Sequence, residues 1–264
     1  MSVLMAALLV LGMATAGYGK IVTQAVPYKQ DNTELEGFLA YDDTVKGKRP
    51  GVLVVHEWWG LNNFAKKTAE LLAKMGYVAF AADMYGKGKV TKNVDQARAW
   101  ATEVRGNTPL MRARAQAALK VLVQNNQVDS QRLAAIGFCF GGTTVLELAY
   151  SGADFRGAVS FHGGLTAPKP KDLKNIKASI LVLHGADDTH VTPEAIAAFE
   201  DGMRKAKADW QMVLFGGALH GFTNPENRGS TVPGVGYDAK AAARSFKYME
   251  LFFNETFGLK SGTS

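Results

Sequence analysis

The stretch that most restricts the fold is residues 133–150, LAAIGFCFGGTTVLELAY. LAAI is an apolar run short enough for a buried strand, and TTVLELAY continues as a helix. Between them, GFCFGG places three glycines around Cys139, the single cysteine of the chain. Glycines on both sides permit a turn in which any neighbouring Cβ would clash. A strand that turns at once into a helix belongs to a sheet whose crossovers are helical, hence mainly parallel.

The rest of the chain repeats that alternation. Strands are expected over 51–56 (GVLVVH), 77–82, 133–138, 157–161, 179–184 and 211–215. Helices are expected over 64–74, 93–105, 109–123, 143–150, 193–207 and 238–257, with Thr108 as a cap and Pro109 in a first turn. This pattern predicts an α/β fold, a mainly parallel central sheet with helices on both faces. No low-complexity linker or repeat divides the chain. Its 264 residues, 47% hydrophobic and 20% charged, are enough for one core.

In such sheets ligands bind at the carboxyl ends of the strands. Residues able to do chemistry fall there: Glu57 after GVLVVH, Cys139 after its strand, Asp188 after ILVLHGAD and His220 after MVLFGGAL. The spacing G-x-C-x-G is that of a nucleophile elbow with sulfur replacing oxygen, and the order Cys139, Asp188, His220 is the nucleophile, acid, histidine order of α/β-hydrolases. A lone cysteine is usually a small buried hydrophobe, but the flanking glycines favour the nucleophile. Asp187 is the adjacent alternative acid; the pattern G-x-x-D-x-x-V favours Asp188. His162, at the end of VSFH, is a candidate to line the pocket, while His184 and His190 read as structural or peripheral. No histidine pair has metal-site spacing and one cysteine cannot build a zinc cage, so neither a metal nor another cofactor is expected.

Four ordered motifs, HEWWGLN from His56, GFCFGG, GADDTHVTP from Gly185 and GALHGF from Gly217, together resemble the dienelactone hydrolase family, over about residues 26–257. The resemblance implies a cysteine-dependent α/β-hydrolase acting on small carboxylic esters or lactones, anionic ones included. It implies Cys139 as nucleophile, His220 as base, Asp188 as its orienter, and Glu57 as the acid that contacts the resting thiol. The oxyanion hole would be the backbone N–H groups of Trp58 and Phe140. At one position the chain departs from the family: an arginine four residues after the catalytic histidine is here Asn224. That departure separates ester hydrolysis, which it leaves intact, from dienelactone itself. Arg228, in a long Gly- and Pro-containing loop, is the candidate replacement, and Arg98 or Arg105 the candidate second arginine. Trp58 and Trp59, or at least one of them with the other packing the loop, are expected to wall the acyl pocket.

The chemistry follows from the residue types. A free thiol, with pKa about 8.5, is a few per cent thiolate at neutral pH, and a carboxylate-held histidine raises that fraction. Thiolate is a good leaving group, so activated esters and strained lactones suit it better than amides. A Glu57 carboxylate beside Cys139 would disfavour a second negative charge and keep the resting thiol neutral. The competing reading is a non-catalytic binding protein that keeps the elbow as scaffold, because fold alone does not establish activity.

Net charge is +6, without a basic run interleaved with aromatics, so no nucleic acid partner is expected. Residues 3–17, VLMAALLVLGMATAG, are apolar and end on an A-x-A site at Ala14-Thr15-Ala16, although no Lys or Arg precedes them. They read as a secretory leader over 1–16 ahead of one domain over 17–264, with no membrane span in the mature form. The protein is then secreted or periplasmic if the leader is cleaved, and cytoplasmic otherwise. One cysteine has no internal disulfide partner.

Overall fold

The computed structural model describes residues 20–259; the expected leader lies outside them. The run 51–55 shows how the sheet is made. It forms most of β3 (Arg49–Val55), buried throughout. Val52 and Val54 point into one apolar layer, Leu53 and Val55 into the other, as the two-residue period of a strand requires. A strand covered on both faces favours apolar residues on both, hence the run Val52-Leu53-Val54-Val55.

The other strands are β1 (Ile21–Gln30), β2 (Thr33–Asp42), β4 (Val78–Ala82), β5 (Val128–Phe138), β6 (Gly157–Phe161), β7 (Ser179–Gly185) and β8 (Trp210–Phe215). All eight lie in one sheet, in the order β1-β2-β4-β3-β5-β6-β7-β8. From β4 to β8 the pairing is parallel, whereas β1 and β2 form an antiparallel hairpin that joins β4 at one edge. The helices are α1 (Asn63–Lys74), α2 (Val94–Arg105), α3 (Thr108–Gln124), α4 (Phe140–Tyr150), α5 (Pro193–Ala206) and α6 (Ala239–Phe257). α1 and α6 cover one face with Phe64, Leu72, Phe252 and Phe253. α2 to α5 cover the other with Val104, Leu119, Leu146 and Phe199. Each such side chain contributes about 1.5–3 kcal/mol by leaving water.

Some elements differ from expectation, and β5 begins at Val128 rather than 133. The β1–β2 hairpin was not foreseen, because most β1 side chains are exposed or half-buried and the strand contains Pro27. An edge strand of that kind carries little apolar signal. α3 is capped by Asn107, whose side chain accepts from Leu110 N at 3.1 Å, and Thr108 is already inside the helix. A buried charge cluster ties the helical layer: Arg112 of α3 donates to Glu147 of α4 at 2.6 Å and to Asp172 at 2.7 Å.

The strand order creates the place for a site. After β3 the chain adds β4 on one side; after β4 it crosses to add β5 on the other side of β3. The crevice outside the carboxyl ends of β3 and β5 is therefore a topological switch point, where ligands bind in open α/β sheets. Val55 pairs with Gly137 in register, so Glu57 and Cys139, each two residues further on, leave the sheet side by side.

Candidate active site

Cys139 sits between β5 and α4 with φ 53° and ψ −112°, a region sparsely populated by residues with a Cβ. The residues two positions away on either side, Gly137 and Gly141, must be glycine. A Cβ on Gly137 would lie 2.0 Å from Gly141 O, and one on Gly141 would lie 2.2 Å from Val55 O. Backbone contacts hold the turn: Cys139 N donates to Phe161 O at 3.0 Å, and Cys139 O accepts from Thr143 N at 3.3 Å. Phe140 N–H, in the first turn of α4, has no carbonyl within its own helix to bond.

His220 follows β8. Its N–H donates to Gly234 O at 3.1 Å and its carbonyl accepts from Gly236 N at 3.0 Å. The ring donates from Nδ1 to Asp188 Oδ2 at 2.8 Å, leaving Nε2 as the free nitrogen. Asp188 accepts His190 N–H on its other oxygen at 2.8 Å. Of the two adjacent acids, Asp188 is buried on the histidine and Asp187 is exposed. Burial opposes charge on Asp188, yet the bond and charge of His220 hold it below the ordinary carboxylate range. Burial likewise opposes the His220 cation, but the charge of Cys139 and the bond to Asp188 outweigh it and raise its pKa to about 10.

Cys139, His220, Glu57, Trp58 and Trp59 line one cavity of about 240 Å³. The two indoles pack 4.8 Å apart. Glu57 is 3% exposed, and burial pushes its carboxyl up to about 7, against the lowering effects of a bond from Asn224 Nδ2 at 2.6 Å and the charge of His220. Among the described residues no hydrogen bond joins Glu57 to the Cys139 thiol; its partner is Asn224.

The remaining candidates divide. Arg105 lines the cavity, its guanidinium 6.0 Å from the Phe140 ring. Arg98 is exposed and paired with Asp95 at 3.0 Å on its own helix. Arg228 is exposed, outside the cavity lining, and stacks 5.5 Å over Tyr237. Asn224 lies behind Glu57, outside the lining. His162 is fully buried behind the elbow rather than in the pocket: Nδ1 accepts from Cys139 N at 3.2 Å and Nε2 donates to Thr223 Oγ1 at 2.7 Å. Burial and the charge of His220 keep its pKa well below the usual histidine value.

His190 is the main correction. Read as peripheral, it lines the cavity, its ring 4.8 Å from that of His220, and Nε2 donates to Pro233 O at 2.9 Å. That bond and the two backbone bonds of His220 fold the loop onto the site, adding Val232 and Val235 to the apolar lining beside Val191. His184 is buried off the cavity, and its Nδ1 has no partner among the described residues.

Among the described residues no cluster of three or more His, Cys, Asp or Glu could hold a metal ion, and no helix is long and apolar enough to cross a membrane.

A model of the dienelactone hydrolase family matches residues 35–257. The crystal structure of a dienelactone hydrolase-like promiscuous phosphotriesterase from metagenomic libraries is 42% identical, with a TM-score of 0.88 over 90% of this chain and 99% of that one. A putative carboxymethylenebutenolidase of Aquifex aeolicus is 29% identical over 234 residues, 87% of this chain and 97% of the relative. A probable 2-oxo-3-(5-oxofuran-2-ylidene)propanoate lactonase of Bradyrhizobium is 29% identical over 213 residues, 76% of this chain and 85% of the relative.

Proposed function

This chain belongs to the dienelactone hydrolase family, and on that premise we propose that it hydrolyses small carboxylic esters or lactones through Cys139, His220 and Asp188, with an acyl-enzyme intermediate. The observation that carries the reading is a strained cysteine and a carboxylate-held histidine, from segments 81 residues apart in sequence, lining one small cavity at the sheet's switch point.

In the proposed cycle His220 Nε2 takes the thiol proton and Sγ attacks the carbonyl carbon. The carbonyl π pair moves to oxygen, and the N–H groups of Trp58 and Phe140 stabilise the oxyanion. One such donor is worth about 2.7–4 kcal/mol in comparable sites. The tetrahedral adduct collapses, His220 returns its proton to the departing alkoxide, and a thioester remains on Cys139. Acylation then changes the histidine. With the sulfur uncharged, the charge of Cys139, a principal cause of the raised His220 pKa, is gone. The imidazole is freed to take a proton from water, whose oxygen attacks the thioester; the acid leaves and the thiol is restored. Asp188 supports each step by keeping the proton-bearing Nδ1 toward itself.

The cavity, about 240 Å³ with Val191, Val232, Val235 and both indoles, suits a small, largely apolar acyl group. Arg105 at its wall is the cation available to an anionic substituent. The phosphotriesterase named above adds organophosphate triesters to the substrates worth assaying, since their P=O oxygen would occupy the same N–H pair.

Release of p-nitrophenol from a short acyl ester, abolished in Cys139→Ala, tests the reading against a non-catalytic binding protein. No turnover across a panel of esters and lactones would favour the binder.

A further inference from the structure

His56 ends β3 immediately before Glu57 and is wholly buried, yet nothing in the proposed cycle uses it. Its two ring nitrogens are both engaged. Nε2 lies 3.2 Å from Met84 N. A backbone N–H can only donate, so Nε2 must be the acceptor. A neutral ring then carries its proton on Nδ1, which donates to the carbonyl of Glu57. A doubly protonated ring could not accept from Met84, and burial holds the pKa of His56 below the usual value.

The Glu57 carbonyl belongs to the same peptide unit as Trp58 N–H. In a planar trans peptide the C=O and N–H point in opposite directions, so fixing the oxygen on the His56 ring aims the hydrogen away from it. Trp58 N–H has no protein acceptor among the described residues, and Trp58 lines the cavity with Cys139. The second donor is held in the same manner: Cys139 O, on the peptide carrying Phe140 N–H, is fixed by Thr143 N at 3.3 Å. The imidazole cannot easily turn, because it packs edge-on to Tyr85 at 4.9 Å and stacks on Phe140 itself at 5.9 Å and 17°.

We propose that His56 is a positioning residue for catalysis: its neutral imidazole locks the Glu57–Trp58 peptide so that Trp58 N–H faces the oxyanion formed on attack by Cys139. The inference rests on Cys139 being the nucleophile.

The test compares two reactions of the same sulfur. Hydrolysis of p-nitrophenyl acetate passes through an oxyanion, whereas alkylation by iodoacetamide displaces iodide at a saturated carbon and forms none. In His56→Leu, kcat should fall at least about tenfold, since full loss of a donor costs roughly 10²–10³. KM should change little and the alkylation rate should stay within about twofold. His56→Gln, whose amide can donate to Glu57 O and accept from Met84 N, should restore most of kcat. If the leucine variant does not fold, His56→Asn replaces it, because that amide is too short to reach both partners. Unchanged kcat in His56→Leu, or in His56→Asn when it stands in, would overturn the proposal, as would hydrolysis and alkylation falling together or no rescue by glutamine. Undiminished hydrolysis in Cys139→Ala would instead remove the premise, so the two failures are distinguishable.

Discussion

Replacing Glu57 by Gln should make stability less dependent on pH, by an amount the site geometry sets. Glu57 is 3% exposed, and its carboxyl titrates at about 7 in the fold against an ordinary 4.5, burial being the main cause. The interval corresponds to about 3 kcal/mol at 1.36 kcal/mol per pKa unit. The sign follows from linkage. Between pH 4.5 and 7 the unfolded chain has released a proton that the native state still holds, so stability falls as pH rises through that window and levels off above it. Glutamine cannot titrate, and its side-chain oxygen can still accept from Asn224 Nδ2, which now lies 2.6 Å from Glu57 Oε2. The stability difference between Glu57→Gln and wild type should therefore shift in favour of the variant by about 3 kcal/mol between pH 4 and pH 8. For a chain of this size that is a relative Tm gain on the order of 5–10 °C. Thermal melts of both proteins across that range, followed by circular dichroism, read it directly. A difference that stays constant with pH would refute the reasoning, because it would mean that Glu57 ionises as freely in the fold as in water.

The same variant should be alkylated by iodoacetamide faster than wild type near neutral pH, where the carboxylate beside Cys139 opposes a second negative charge; equal labelling rates would dismiss that role. Asp188→Asn should lower kcat by roughly 10³–10⁴-fold with a modest change in KM, because an amide can offer Nδ1 of His220 a donor and so favour the wrong tautomer; steady-state kinetics decide it. Gly137→Ala should abolish activity and lower Tm sharply, since its Cβ would meet Gly141 O at 2.0 Å, whereas Gly216→Ala, with nothing within 4 Å, should leave kcat unchanged and Tm equal or slightly higher.

The central sheet was legible wherever a strand is covered on both faces, because an unbroken apolar run such as GVLVV has few other uses. The β1–β2 hairpin was not, because β1 alternates polar side chains into solvent and only β2 buries Leu35 and Leu39. At the site, Cys139, Asp188 and His220 stood out because each follows the carboxyl end of a strand, and topology places strand ends together. Choosing between Asp187 and Asp188 needed coordinates as well as the motif, since the two differ chiefly in burial. His190, Val232 and Val235 were hidden because they reach the cavity through a loop folded back by bonds to Pro233, Gly234 and Gly236, contacts between segments without local signature. For the arginines the charge type says nothing of direction: of the candidates Arg98, Arg105 and Arg228, Arg105 lines the cavity.

The measurement that bears most directly on the account is the mass of the protein quenched in acid during turnover of p-nitrophenyl acetate, followed by peptide mapping. One acetyl group on Cys139, formed and lost at rates compatible with kcat and absent from Cys139→Ala, is the predicted result. Steady turnover with Cys139 unmodified and undiminished hydrolysis in Cys139→Ala would contradict it.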